Sequence, residues 1–297
     1  MIPMDISVFA DEPIQVTVSI PPQKYFVERI CGNNIKITVM IVPGANPATY
    51  EPKASQMKIL THSKIYFAIG VPFEKVWLNK FKTFNPGLLI IHTDRSIKKL
   101  AMKGSLHTIP KDRKDYPGGE MEKSHYHATS LDPHIWLAPS LVRIQAALIA
   151  EALIKIDPQN KKRYRENLAS FRIDLDRLDK NLKRIFKGIG EKKQFLVFHP
   201  SWGYFAQAYG LEQISVEMEG KEPSLSELAR LIKDIRSMGI KTAFAQPQFS
   251  LKTAKIMSRE ISGQIEIIDP LEQSWLQNIE EVAKKIRSAL DDLHLSQ

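Results

Sequence analysis

A single cysteine, Cys31, among 297 residues rules out an intramolecular disulfide and a cysteine-built metal cluster, and it leaves the redox compartment undetermined. No apolar run reaches the ~18 residues that a membrane span requires. The chain also lacks a basic stripe interleaved with aromatics. Its net charge of +9 comes from 42 basic against 33 acidic residues, and the two signs are mixed along the same stretches, as from Lys161 to Arg184. That mixture describes a solvated surface rather than a nucleic-acid footprint. No His-Glu-x-x-His helix is present, which removes one well-defined frame for a zinc hydrolase.

What is there supports two ordinary globular cores: 43% of the 297 residues are hydrophobic, enough for two domains of about 150 residues each. The stretch 157–187 organises them. Its apolar residues Tyr164, Leu168, Phe171, Leu175, Leu178, Leu182 and Ile185 recur in alternating steps of four and three, the stripe of one amphipathic helix. Asp157 and Pro158 predict its start as N-cap and first helical residue, and Gly188 and Gly190 predict its stop. About 30 residues at 1.5 Å each make a rod of roughly 45 Å, long enough to tie two lobes together. The same spacing also fits about four heptads of a coiled-coil arm, although the α/β rhythm on both flanks favours the strut.

The expected organisation is therefore an N-terminal lobe over 11–156, a linking helix over 157–187 and a C-terminal lobe over 188–297. Residues 1–10 end in Val8-Phe9-Ala10, with small residues where a signal peptidase reads, and are expected to be a signal-peptide remnant.

In the first lobe, strand-like runs at Ile14–Ile20, Ile35–Val42, Lys64–Gly70 and Gly87–Thr93 alternate with helical stretches, which predicts a parallel sheet covered on both faces. Such sheets bind ligands beyond the carboxyl ends of their strands. The loop Pro43-Gly44-Ala45-Asn46-Pro47-Ala48-Thr49-Tyr50-Glu51-Pro52 is stiffened by its prolines. The stretch from Asp94 to Asp132 is long and unpatterned, the mark of a functional or disordered segment, and it carries Ser124-His125-Tyr126-His127. His134 follows in Asp132-Pro133-His134-Ile135-Trp136-Leu137. Taken singly, His134 reads rather as a core histidine than as a ligand, and His125 and His127 rather as loop surface.

The second lobe repeats the rhythm, with strands at Gln194–Phe198, Thr242–Ala245 and Ile265–Ile268 and helices at Ser224–Met238 and Ser250–Ile261. His199 and Asp269 both fall just past strand ends, on the edge where a parallel sheet presents its ligand site. Two histidines and a carboxylate drawn from two lobes make an N/N/O donor set of the kind Zn²⁺ accepts.

Six motifs in order, Pro43–Pro52, Asp132–Leu137, Phe198–Phe205, Glu222-Pro223-Ser224, Gln246-Pro247-Gln248 and Ile268-Asp269-Pro270-Leu271, give the chain its resemblance to the zinc-uptake solute-binding proteins, the periplasmic receptors of ABC importers. The resemblance runs from Ile14 to Leu293. It implies an α/β fold of two Rossmann-like lobes with parallel sheets joined by one long helix, and a metal held between the lobes by His134, His199 and Asp269. It also implies a monomer that serves an inner-membrane permease with a cytoplasmic ATPase, in the periplasm, and no enzymatic activity. Manganese-type members usually carry glutamate at the position of His199, so zinc is expected, with Mn²⁺, Fe²⁺ or a chelated metal as the alternatives. One position departs from the pattern. The family's usual first histidine corresponds to Ala48, which has no donor, and the expectation is either that His127 or His125 supplies the missing ligand or that water does. An open position sharpens the rival reading as a zinc hydrolase, for which Glu51 is the nameable base.

Overall fold

The computed structural model describes residues 13–102, 131–191, 193–217, 224–249 and 251–295. His125, His127, Glu222 and Pro223 lie outside them, as does the 1–10 segment.

Two four-stranded, wholly parallel sheets form the chain's two lobes. In the first, β1 (Ile14–Val18) and β3 (Ile65–Ala68) are central, with β2 (Ile35–Val39) and β4 (Leu89–His92) at the edges, in the order β2-β1-β3-β4. The register pairs Ile14 with Ile35, Val16 with Ile65 and Ile65 with Leu89. Burial on both faces explains why β3 is apolar at every position. Helices α1 (Pro21–Cys31), α2 (Ala54–Leu60) and α3 (Pro72–Phe84) make the crossovers. Prolines at the starts of α1 and α3 occupy positions whose N–H groups have no helical partner.

The second lobe repeats this topology with β5 (Gln194–Val197), β6 (Glu212–Ser215), β7 (Thr242–Ala245) and β8 (Gln264–Ile267) in the order β6-β5-β7-β8. To the helices expected there, α7 (Leu225–Ser237) and α8 (Leu251–Glu260), the fold adds a short α6 (Gly203–Ala208) and a C-terminal α9 (Trp275–Leu295). Ser224 caps α7 through a reciprocal capping box with Glu227. Another helix, α4 (Pro139–Ile156), precedes the strut.

The strut itself is α5, Lys161–Ile185, 25 residues or roughly 38 Å. Tyr164, Phe171, Leu175, Leu178 and Leu182 of its stripe are buried, and Leu168 and Ile185 pack half-buried against the same core. The stripe is thus consumed within the chain, which answers the coiled-coil alternative. Phe171 meets Tyr25 and Phe26 of α1 at centroid distances of 6.0 and 6.2 Å, and Arg29 of α1 pairs with Asp174 at 2.6 Å. Further along, Asp179 accepts from the Tyr209 hydroxyl of the second lobe at 3.1 Å, and Arg287 of α9 donates to the carbonyl of Ile185 at 3.0 Å. One helix is therefore bolted to both lobes.

Its start differs from the expectation. Pro158–Asn160 form a 3-10 turn, and α5 begins after it. The Asp157 carboxylate does not cap the helix; it accepts from the Tyr164 hydroxyl and from Asn160 Nδ2. A buried tyrosine hydroxyl needs an acceptor, and that need outweighs the capping geometry.

Two indoles lock the lobes again. Trp136 Nε1 donates to the Pro270 carbonyl at 2.7 Å, Trp275 Nε1 donates to the Trp136 carbonyl at 2.8 Å, and the Trp275 ring meets Phe26 edge-on at 5.1 Å. The buried apolar residues of both lobes join in one continuous core.

Candidate metal centre

The carboxyl ends of both sheets face a cleft, and His134 and His199 meet there. Their ring centroids are 5.3 Å apart, with the ring planes at 75°. Each ring is held by its own carboxylate.

His134 is placed by the turn that precedes it. The Asp132 carboxylate accepts from the His134 backbone N–H at 2.9 Å, an Asx turn stiffened by Pro133, and the same oxygen lies 2.7 Å from His134 Nδ1. Asp132 is itself gripped by the other lobe. The Tyr204 hydroxyl of α6 donates to the Asp132 carbonyl at 2.9 Å and accepts from the Leu100 N–H at 2.9 Å. Gly203 approaches so closely that a Cβ there would lie 2.8 Å from Asp132 Oδ2.

His199 follows β5 and is held as one extra rung of the sheet. Its N–H donates to Gln246 Oε1 at 3.1 Å, and Gln246 Nε2 returns to its carbonyl at 2.8 Å. The ring stacks on Phe249 at 4.5 Å, and its Nδ1 lies 2.5 Å from Glu217 Oε2. Burial pushes the His199 pKa below the ordinary histidine value; the Glu217 bond opposes that shift and the neighbouring His134 adds to it.

A carboxylate on Nδ1 fixes the Nδ1–H tautomer and leaves Nε2 with its lone pair, as metal-ligating histidines require. Two such pairs bring two imidazoles to the wall of one cleft. Neutral imidazoles are also what a borderline-soft divalent ion accepts.

Asp269 lies just beyond β8, as expected. Its Oδ1 accepts from Gln248 Nε2 at 2.6 Å and from the Leu271 N–H at 2.8 Å. Burial raises its carboxyl pKa above the ordinary value, opposed by these two donors. Among the described residues, no three histidine, cysteine, aspartate or glutamate side chains gather closely enough to hold an ion. The structure therefore brings His134 and His199 together and keeps the Asp269 carboxylate engaged by Gln248.

Ala48 sits on the same cleft, on the loop after β2, where its N–H donates to Asn46 Oδ1 at 2.8 Å. Glu51, three residues on, is exposed. The cleft has a volume of about 180 Å³, and Val71, Pro72, Trp136 and Phe249 are among its walls.

Glu217, Asp132 as a carboxylate, and the two glutamines Gln246 and Gln248 are the site residues that sequence reasoning did not pick out by role. Asp132 had a local signal in the Asp-Pro-His turn. Glu217 comes two residues after β6, whose sequence Glu-Gln-Ile-Ser has no apolar alternation to announce a strand.

The curated relative zinc-binding protein AdcA of Streptococcus pyogenes serotype M3 is 26% identical over 270 residues, which cover 89% of this chain and 52% of the relative. The chain thus spans about half the length of that relative. Among solved structures, a crystal structure of ZnuA superposes with a TM-score of 0.81 at 39% identity, covering 94% of this chain and 100% of the other. A ZnuA lacking residues 138–173, with zinc bound, superposes with a TM-score of 0.82 at 38% identity, covering 94% and 98%. The model of the family described as zinc-uptake complex component A, periplasmic, matches residues 16–289, and the chain belongs to that family.

Proposed function

We propose that this protein is an extracytoplasmic receptor that captures Zn²⁺ between its lobes and hands it to an ABC-type permease in the inner membrane, which a cytoplasmic ATPase drives. The paired imidazoles carry the reading. An ion bonded at about 2.0–2.1 Å to Nε2 of two imidazoles at the tetrahedral angle sets their centroids about 5 Å apart. The rings of His134 and His199 stand at 5.3 Å before any ion is added. Asp269 is the third donor, reached when its carboxylate exchanges Gln248 for the ion. Three protein donors leave one position of a tetrahedral Zn²⁺ to be filled by something else.

Capture rather than catalysis fits the carboxylates. Asp132 and Glu217 are both buried and both committed to an imidazole Nδ1, where they orient ligands instead of activating water. The relatives named above that bind zinc point the same way. The strut and the indole locks oppose a wide hinge, so capture closes the cleft by a small movement, and the protein acts as a monomer in the periplasm.

Calorimetric titration of metal-stripped protein tests this, with zinc and manganese run in parallel on wild type and His134→Ala. One zinc site, weakened at least about tenfold in the variant and stronger than that for manganese, is expected. Equal zinc binding by wild type and variant, or preference for manganese, refutes the assignment.

A further inference from the structure

We propose that Gln248 is a two-position latch that sets how firmly the cleft keeps its ion. It holds the Asp269 carboxylate while the cleft is empty, and it turns to Ser201 when the ion takes Asp269. This rests on the zinc reading above, with Asp269 as the third donor.

The hold on Asp269 is the first observation. Gln248 Nε2 donates to Asp269 Oδ1 at 2.6 Å, and the same oxygen accepts from the Leu271 N–H at 2.8 Å. A carboxylate only accepts, so it dictates that the NH₂ end of the amide faces it. The amide oxygen is thereby turned the other way. Gln248 Oε1 is buried and has no hydrogen-bond partner among the described residues. A buried acceptor without a donor is unfavourable, so the latch holds Asp269 at the expense of its own second end.

Ser201 is the second observation. It is fully buried, its Oγ also has no partner among the described residues, and it lines the same cleft as Gln248. Its hydroxyl donates what Gln248 Oε1 lacks. The two residues stand on adjoining loops. β5 and β7 pair in parallel, and beyond their ends Gln246 bonds both the N–H and the carbonyl of His199, at 3.1 and 2.8 Å. Ser201 follows His199 by two residues and Gln248 follows Gln246 by two. The Phe249 ring, stacked on the His199 imidazole at 4.5 Å, fastens the loops together. Buried polar groups are hydrogen-bonded as a rule, and this donor and this acceptor supply each other's missing partner once the amide turns.

The two positions differ in strength. When Asp269 moves onto the ion, Gln248 loses a bond to a charged group and gains a neutral one, and the difference opposes binding. Capture is then looser than the ligands alone would make it, which suits a receptor that has to release its ion. The sign separates a latch from a brace. If Gln248 merely oriented Asp269 in both states, removing its amide would weaken zinc; removing a latch tightens it.

The test is zinc calorimetry on the metal-stripped full chain, joined to release rates measured with a chromogenic chelator. Wild type is compared with Gln248→Leu, Ser201→Ala, their double variant, and Asp269→Ala with and without Gln248→Leu. Gln248→Met, equally long and without the amide, guards against a local effect of leucine. Gln248→Leu is expected to bind zinc about tenfold tighter and to release it more slowly. Ser201→Ala is expected to bind about three- to tenfold weaker, and to have no effect once Gln248 is leucine, because no amide remains to be received. In the Asp269→Ala background Gln248→Leu changes nothing. Weaker or unchanged zinc binding by both Gln248 variants overturns the inference while the zinc receptor stands. Tightening that persists without Asp269 overturns it too, as does a Ser201→Ala loss that persists without Gln248. Wild-type affinity in Asp269→Ala also overturns it, since Asp269 is then no ligand, and His134→Ala shows whether zinc still uses the imidazoles. Absence of zinc binding by wild type removes both readings together.

Discussion

Replacing Glu217 by glutamine is the sharpest single perturbation of the site. The carboxylate is 5% exposed, its backbone N–H donates to the Phe198 carbonyl at 2.9 Å, and Oε2 holds His199 Nδ1 at 2.5 Å. Glutamine keeps the size and the backbone bond but turns a charge-assisted hydrogen bond into a neutral one. Bonds to charged groups contribute about 1.5–3 kcal/mol and neutral ones about 1, so the imidazole loses roughly 1–2 kcal/mol of support. When zinc draws electron density from Nε2, that support strengthens the ligand, and its loss corresponds to about 5- to 30-fold in affinity. This overlaps the lower part of the roughly 10–100-fold range typical of groups that hydrogen-bond a metal's ligands. The fold should tolerate the change, because a buried charge is replaced by a neutral group of the same shape. Calorimetry on Glu217→Gln, His199→Ala and the double variant reads the effect as a cycle. If Glu217 acts through His199, glutamine costs about 5- to 30-fold in wild type and nearly nothing in the His199→Ala background. An equal cost in both backgrounds, or none in either, would show that the bond is not part of the metal site.

Four further outcomes follow from the same geometry. If both imidazoles ligate zinc as proposed, protons compete with it, and burial lowers the His199 pKa from its ordinary 6.5, so this histidine is neutral at neutral pH and its competition sets in only in more acid solution. A pH series of titrations should show affinity flat near neutrality and falling in mild acid, and a fall beginning well above neutrality would contradict it. Gly203→Ala places a methyl group where Asp132 Oδ2 now sits at 2.8 Å, which displaces the carboxylate from His134 and should weaken zinc about tenfold with little change in melting temperature. Trp275→Phe removes the donor to the buried Trp136 carbonyl, at a cost of about 1–3 kcal/mol in chemical denaturation; an unchanged midpoint would mean that this lock carries no stability. Solution scattering of stripped and zinc-loaded protein should give nearly superimposable profiles, because α5 is fastened to both lobes, and a large compaction on loading would refute the strut.

Much of this was legible in the residues, for identifiable reasons. The stripe from Tyr164 to Ile185 is read from spacing alone because a long helix with one buried face has to repeat every three or four positions. His199 stands out because a buried apolar strand stops abruptly at a histidine. Other parts were hidden by the same physics. The helix α4 bears apolar residues around most of its circumference, buried on one side by α5 and α1, so it shows no single stripe. Strand β6 is a short edge strand, half solvated and rich in polar side chains, and with it went Glu217, which only tertiary structure brings to His199. Asp157 has the residue type and position of a cap, yet the buried hydroxyl seven residues away claims its carboxylate. Asp269 shows the same limit at the site, since nothing local reveals that Gln248 holds its oxygen.

X-ray absorption at the zinc edge of the loaded protein tests the central claim most directly, with wild type compared to His134→Ala and His199→Ala. The account predicts a first shell of nitrogen and oxygen at about 2.0–2.1 Å with two or more imidazole rings in wild type, and one ring fewer in each variant. A spectrum that neither substitution alters would place the zinc elsewhere and contradict the site.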